Sequence, residues 1–203
     1  MQEAEGFLSK DCSIFPLNEE ILSQCQPFSC GDKDLDDFFL NDAAKFNRQL
    51  LGKSFCFRLK ADLSVIVCAF TLSTSSIDGK NLPGSRRRKL TENIPHEKSL
   101  SSYPAALIGR LGVNKDFRKK RIGKELIENV IKPIFRDFQI GCRYLTVDAY
   151  NNDAVLKFYE SSGFRVIFST EKQEKEYIGL SEELALQTRT MYFDLIRLFD
   201  KSD

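Results

Sequence analysis

Apolar residues recur at helical and at strand spacings along most of the chain, and the changes of period divide it into elements. Leu35, Phe38, Phe39, Ala43, Phe46 and Leu50 form a stripe at helical spacing, which predicts a helix over "CGDKDLDDFFLNDAAKFNRQL". Asp32, Asp34, Asp36 and Asp37 crowd its first turn, where the positive end of the helix dipole favours carboxylates. "SFCFRL" and "LSVIVCAFTLS" follow, rich in β-branched and aromatic residues and parted by the polar "KAD", so two strands joined as a hairpin are expected. "AALIGRLGV" reads as the next strand. Beyond it Ile122, Leu126, Ile127, Val130, Ile131, Ile134, Phe135 and Phe138 share one helix face. Pro133 is expected to kink or end that helix, because it lacks a donor and clashes with the carbonyl of Asn129. "CRYLTVDAY" predicts a strand, and "NNDAVLKFYESSGF" a helix capped by Asn and closed at Gly163. "FRVIFST" and "TRTMYFDLI" supply two more strands.

Strand, helix, strand, helix in the second half requires a parallel pair with a crossover, while the flanking hairpins are antiparallel. The expected fold is therefore α/β, a central mixed sheet with parallel central strands and helices around it. One domain is expected over residues 1–203. From Ser75 to Pro104 the periodicity gives way to Gly, Pro, Ser and charge, which predicts an insertion or lid between strands.

Composition narrows the classes of function. Thirty Lys and Arg against 29 Asp and Glu leave a net charge of +1, so no global field favours nucleic acid or membrane, and a basic patch has to be local. The longest apolar stretch, "SVIVCAF", falls far short of the ~20 residues that a spanning helix needs, and no signal peptide is visible. A cytoplasmic protein without membrane contact is expected. The six cysteines include no C-x-x-C pair, and several lie in strand-like runs as small hydrophobes. The single histidine, His96, sits in the polar loop "NIPHEKS", so neither a metal site nor a Cys–His nucleophile is expected.

One local basic patch stands out. "RLGVNKDFRKKRIGKELIENV" leads a strand through a turn into a helix start, and a helix start presents unpaired N–H groups and a positive dipole end to an anion. Arg118, Lys119, Lys120, Arg121 and Lys124 add side-chain charge. The Walker A pattern and the dinucleotide fingerprint G-x-G-x-x-G are both missing. Arg118-Lys119-Lys120-Arg121-Ile122-Gly123 does resemble motif A of the GNAT superfamily of N-acyltransferases, whose pattern is [QR]-x-x-G-x-[GA]. "NNDAVLKFYESSGF" resembles that family's second signature, an Asn seven positions before a Tyr that is soon followed by Gly-Phe; Asn152 and Tyr159 keep the spacing. The likeness extends from about Cys30 to Ile196, with Ser75–Pro104 unaligned. Arg121 departs from the pattern by standing where glycine is usual. A β-carbon at positive φ costs on the order of 1 kcal/mol, so the chain is expected to be helical already at Arg121.

The resemblance implies an acetyl-CoA-dependent N-acetyltransferase acting on a primary amine without a metal. Amides of the Arg118–Lys124 turn, Ile122 and Gly123 included, would hold the pyrophosphate of acetyl-CoA. Leu111, Gly112 and Val113 would lend backbone groups to the pantetheine arm and thioester. Tyr159 would be the general acid for the leaving thiolate; by spacing alone it is equally a core aromatic beside Val155 and Phe158. Asn152 is read both as helix cap and as cofactor contact, and Asp148 as either a general base or a turn cap. "FSCGDKDLDDFF" and "IGRLGV" also resemble members that include toxins acetylating the α-amine of aminoacyl-tRNA. "RRRK" at Arg86–Lys89 and Arg110 would serve a tRNA there, although a solvated helix face suits "RRRK" as well. An unidentified small or peptide amine is therefore ranked before tRNA, with a catalytically weak acyl-CoA sensor as a third alternative. The oligomeric state, a homodimer included, is left open.

Overall fold

The computed structural model describes residues 6–92, 94, 100–136 and 140–199; His96 and Phe138, read above as a loop and a helix residue, lie outside them. The chain opens with α1 (Phe7–Asp11) and β1 (Cys12–Pro16), then α2 (Glu19–Ser23). A helical run follows as α3 (Lys33–Asp37), a π-helical turn (Phe38–Asp42) and α4 (Ala43–Arg48). Asp32 caps it, accepting from the N–H groups of Asp34 (3.0 Å) and Leu35 (3.1 Å). The sequence predicts this run as one helix, and the wider π turn lets the adjacent Phe38 and Phe39 both be buried. β2 (Lys53–Leu59) and β3 (Asp62–Asp78) form the expected antiparallel hairpin.

β3 continues to Asp78 and β4 begins at Ser102, so both strands extend into the segment read as irregular; between them lies α5 (Gly84–Thr91), which carries "RRRK". β4 (Ser102–Val113) leads through a 3-10 turn (Lys115–Phe117) to α6 (Ile122–Glu125), a π-helical turn (Leu126–Ile131) and α7 (Lys132–Arg136). Of the two outcomes expected at Pro133, a kink or an end, the helix does not end there. Just ahead of it the Lys132 N–H reaches back five residues to the Ile127 carbonyl, and this wider spacing replaces α-helical bonding where proline supplies no donor. β5 (Tyr144–Tyr150), α8 (Asp153–Ser161), β6 (Arg165–Val166), α9 (Glu171–Ile178) and β7 (Thr188–Asp194) complete the described elements, closed by a 3-10 turn over Leu195–Leu198. "FRVIFST" thus yields only two strand residues, with one further bond from the Ile167 N–H to the Thr190 carbonyl (3.0 Å), and Ile167 and Phe168 are buried in the second core.

The strands form one mixed sheet of order β1-β2-β3-β4-β5-β7-β6. β4 and β5 are parallel, with Ala105, Ala106 and Leu107 opposite Tyr144, Leu145 and Thr146, while β5/β7 and β7/β6 are antiparallel. β1, five residues closed by Pro16, occupies an edge, where a missing N–H is tolerated. The chain divides into two compact units, Met1–Ser73 with Ile108–Ile134, and Thr74–Leu107 with Phe135–Asp203; β3 and β4 each pass from one to the other. The first has a core around Leu17, Phe28, Phe38, Phe39 and Ile66. The second is centred on Tyr103, Tyr144, Phe168 and Tyr192, and the Tyr144 hydroxyl donates to the Leu90 carbonyl at the end of α5 (2.6 Å).

Candidate active site

In the first unit Asn114 fixes the exit from β4. Its N–H and Nδ2 donate to the carbonyls of Val67 and Ile66 (both 2.9 Å), and its Oδ1 accepts from the Asp116 N–H (3.1 Å). The chain then enters the α6 run through two non-glycine residues in the left-handed region, Lys119 at φ 67 and Arg121 at φ 57. The expectation that Arg121 is already helical is thus corrected. Arg121 is the left-handed cap of α6; its carbonyl accepts the Glu125 N–H (3.0 Å) and the next residue, Ile122, is buried. Anchored on both sides, the turn keeps a conformation that costs roughly 1–2 kcal/mol at each such residue. Left-handed residues within a turn direct backbone N–H groups into a shared concavity that suits an anion, and the helix start adds its dipole.

The five cations of the turn divide into two roles. Arg118 donates through Nη2 to the Cys30 carbonyl, 88 positions away in sequence. The same nitrogen lies 2.8 Å from where a β-carbon on Gly31 would stand, and Gly31 has φ +83. Behind it Asp36 accepts from the Cys30 N–H (2.6 Å) and the Ser29 hydroxyl (2.8 Å). Burial raises the Asp36 carboxyl, but those hydrogen bonds outweigh it and hold the group below the usual carboxylate range. Lys120 places its ammonium over the rings of Phe7 (4.8 Å) and Phe117 (5.1 Å). Next to it Glu125 accepts from the Leu8 N–H (2.8 Å), tying α1 to α6. Lys119, Arg121 and Lys124 have no ion pair among the described residues and remain available for an anion. On β4 Gly112 is buried between half-buried Leu111 and Val113. A β-carbon there would come within 3.2 Å of Phe28 and 3.3 Å of Cys30, so glycine is what admits the Phe28–Gly31 segment against the strand.

The second unit holds the other candidates. Asp148, exposed on β5, accepts from the hydroxyl of its strand partner Thr190 (3.1 Å). Asn152 caps α8, accepting from the Val155 N–H (3.0 Å). Beside it Asn151, which the sequence reading passed over, donates to Glu171 and to the Leu186 carbonyl (both 2.9 Å). Tyr159 is 7% exposed and meets Phe158 and Phe164 edge-on, with centroids 4.9 and 5.5 Å away. Burial pushes its phenol well above the usual tyrosine range, so the hydroxyl keeps its proton at neutral pH. That hydroxyl makes no hydrogen bond to the described residues. Leu111–Val113 and Arg118–Lys124 thus belong to the first unit, and Asp148, Asn152 and Tyr159 to the second.

Cysteine nucleophiles are disfavoured: burial pushes the thiol of Cys30 up to about 11 and that of Cys56 to about 12, leaving little thiolate at neutral pH. Among the described residues no group of three or more His, Cys, Asp and Glu could hold a metal ion, and no helix is long and apolar enough to cross a membrane.

The parallel β4/β5 pair, the left-handed turn at the start of α6 and the capped α8 fall in the segment where family resemblance is measurable. Residues 89–164 match the acetyltransferase (GNAT) family model, so this segment is similar to the acetyl-CoA-dependent acetyltransferases of that family. Among solved structures, AtaT complexed with acetyl-methionyl-tRNAfMet is similar at 18% identity, with a TM-score of 0.67 over 94% of this chain and 100% of that one. A tyrosine-to-phenylalanine mutant of KacT shares 17% identity with a TM-score of 0.67, over 94% of this chain and 99% of that one. The KacTA–DNA complex shares 17% at 0.62, over 94% and 99%. At such identities the likeness establishes a shared fold.

Proposed function

We propose that this protein is an acetyltransferase that moves an acetyl group from acetyl-CoA to a primary amine in the cytoplasm, with the left-handed turn at Lys119 and Arg121 holding the pyrophosphate. That turn is the observation that carries the reading: a strained, cationic backbone concavity at a helix start has the chemistry of a phosphate cradle. Acetyl-CoA supplies the acyl thioester. Leu111, Gly112 and Val113 hold its pantetheine arm through strand backbone groups, Ile122 and Gly123 add amides to the cradle, and Lys119, Arg121 and Lys124 neutralise phosphate charge. Arg118 and Lys120 act at one remove, by fixing the turn to Cys30 and to Phe7. Tyr159 holds a proton for the sulfur as the carbon–sulfur bond breaks, and Asn152 sets the start of its helix. Asp148 takes a proton from the attacking amine, a light task for an α-amine of pKa near ~7.7–8.0. A cavity of about 360 Å³ in the first unit is lined by Asp34, Asp37, Asp42, Lys45 and Arg110; Lys45 pairs with Asp42, and Asp34 and Asp37 offer carboxylates to an ammonium acceptor.

The second reading is a toxin-like enzyme acting on the α-amine of aminoacyl-tRNA. It is favoured by the likeness to the AtaT–tRNA complex and by α5, where Arg88 and Lys89 are exposed. One experiment series separates the readings. Acetyl-CoA should raise the melting temperature of the purified protein, and Lys119→Glu with Lys124→Glu should abolish the rise; a normal shift in that double variant would sink the cradle assignment. Tyr159→Phe should keep the shift while turnover on acceptors found by mass spectrometry drops ~10²–10⁴-fold. Growth arrest on induced expression, relieved by Tyr159→Phe and accompanied by acetylated aminoacyl-tRNA, would replace the small or peptide amine with tRNA.

A further inference from the structure

Within the first unit, the start of α1 meets both ends of the turn that carries Lys119 and Arg121. On the entry side the Phe7 ring lies 5.9 Å from that of Phe117, and the Lys120 ammonium sits over both, 4.8 and 5.1 Å from their centroids. On the exit side the Glu125 carboxylate accepts from the N–H groups of Leu8 (2.8 Å) and Ser9 (3.4 Å). These are the second and third residues of α1, whose own cap residue, Gly6, has no side chain to offer. Helix starts ordinarily take such an acceptor from the cap residue itself; here it comes from 117 positions away in sequence. Gly6 is what admits it. A β-carbon there would overlap the Glu125 carboxylate, although its φ of −75 is open to any residue.

By charge alone Glu125 is badly placed. It follows Lys124 directly, and a carboxylate beside bound pyrophosphate repels it. The first turn of α6 suits an acid through the helix dipole, but an acid there competes with the anion for the same positive end. Glu125 is also the backbone link to the strained cap, since its N–H donates to the Arg121 carbonyl (3.0 Å). Both left-handed residues, Lys119 at φ 67 and Arg121 at φ 57, thus lie between Phe117 and Glu125, the two places at which α1 holds the chain. We infer that Gly6, Phe7 and Glu125 are positioning residues for acetyl-CoA: gripping the turn at both ends, they keep its N–H groups directed into the concavity before the pyrophosphate arrives. Ordering a loop in advance removes part of the entropy that binding otherwise has to overcome. None of the three need touch the cofactor. The inference rests on the turn being the pyrophosphate cradle.

The test is calorimetric titration of acetyl-CoA into the full chain. Glu125→Ala and Gly6→Ala should each weaken binding at least about fivefold, the first by removing the acceptor and the second by displacing it with its charge intact. Glu125→Gln keeps a carbonyl oxygen of the same reach and should recover most of the loss. If charge repulsion governs instead, Glu125→Ala and Glu125→Gln both bind more tightly, and that result overturns the inference. So does a lowered melting temperature with unchanged affinity, which makes the contact a structural one alone. Coupling is reciprocal, so acetyl-CoA should slow hydrogen exchange at the Leu8 and Ser9 amides of the wild-type protein; exchange there that ignores the cofactor also overturns it. Lys119→Glu with Lys124→Glu separates this inference from the cradle itself. If that double variant binds acetyl-CoA normally, the cradle reading fails. If it does not bind, while Glu125→Ala and Gly6→Ala bind as the wild type does, the cradle stands and α1 plays no part in it.

Discussion

Arg121 keeps a left-handed backbone at φ 57 without being glycine, and only its neighbours impose that. Arg121→Gly should relieve strain of about 1 kcal/mol, raising the melting temperature by about 2 °C while leaving most of the acetyl-CoA shift intact, because the backbone rather than the side chain shapes the concavity. A lower melting temperature would mean that the guanidinium itself holds the turn. The departure from glycine was legible in the sequence; its conformation was not. A local pattern reports that a residue is unusual, whereas the burial of Ile122 and the Glu125–Arg121 bond decide what the chain does about it. The roles of Arg118 and Lys120 were hidden for a similar reason. The partners of their side chains, Cys30 and the Phe7 and Phe117 rings, lie far away in sequence or on an element that no periodicity announced.

Gly31, Asp36 and the start of α3 form a hinge-like knot with the turn after β4. Gly31→Ala places a β-carbon 2.8 Å from Arg118 Nη2 at a φ of +83. It should destabilise the protein by about 1–2 kcal/mol and weaken acetyl-CoA binding, although Gly31 touches no cofactor; calorimetry on the two proteins decides it, and unaltered affinity would uncouple α3 from the turn. Elements held by apolar periodicity were read correctly: β2, β3, β4, β5 and β7, the run from α3 to α4, and α8. α9 escaped, because "EKQEKEYI" has almost no apolar stripe. Its anchor is the buried Glu174, which accepts from the Arg189 guanidinium and from the Thr190 N–H, and an ion pair leaves no periodic trace. β1 escaped by being short, and β6 was read within "FRVIFST" but is only two residues long.

For the whole molecule, the buried thiols set an alkaline limit. Burial raises Cys12 and Cys30 from the ordinary 9.0 to about 11 and Cys56 to about 12. A thiol with a raised pKa holds its proton more tightly in the folded state, so its contribution to stability is complete below pH 9.0 and disappears as pH climbs through the folded value. Melting temperature should be level from about pH 7 to about 8.5, then fall steeply, and Cys56→Ala should make the fall shallower. A profile that stays level to pH 11 would contradict the burial of these thiols. The contacts gather into two units, each built from two separate stretches. That interleaving constrains synthesis. On the ribosome the first unit stays unfinished until Ile134 has emerged, after the opening stretch of the second has already been made. At roughly 5–20 residues per second, the early hairpin waits several seconds for its last strand and helix, so a chaperone that shields strand edges has its natural moment there.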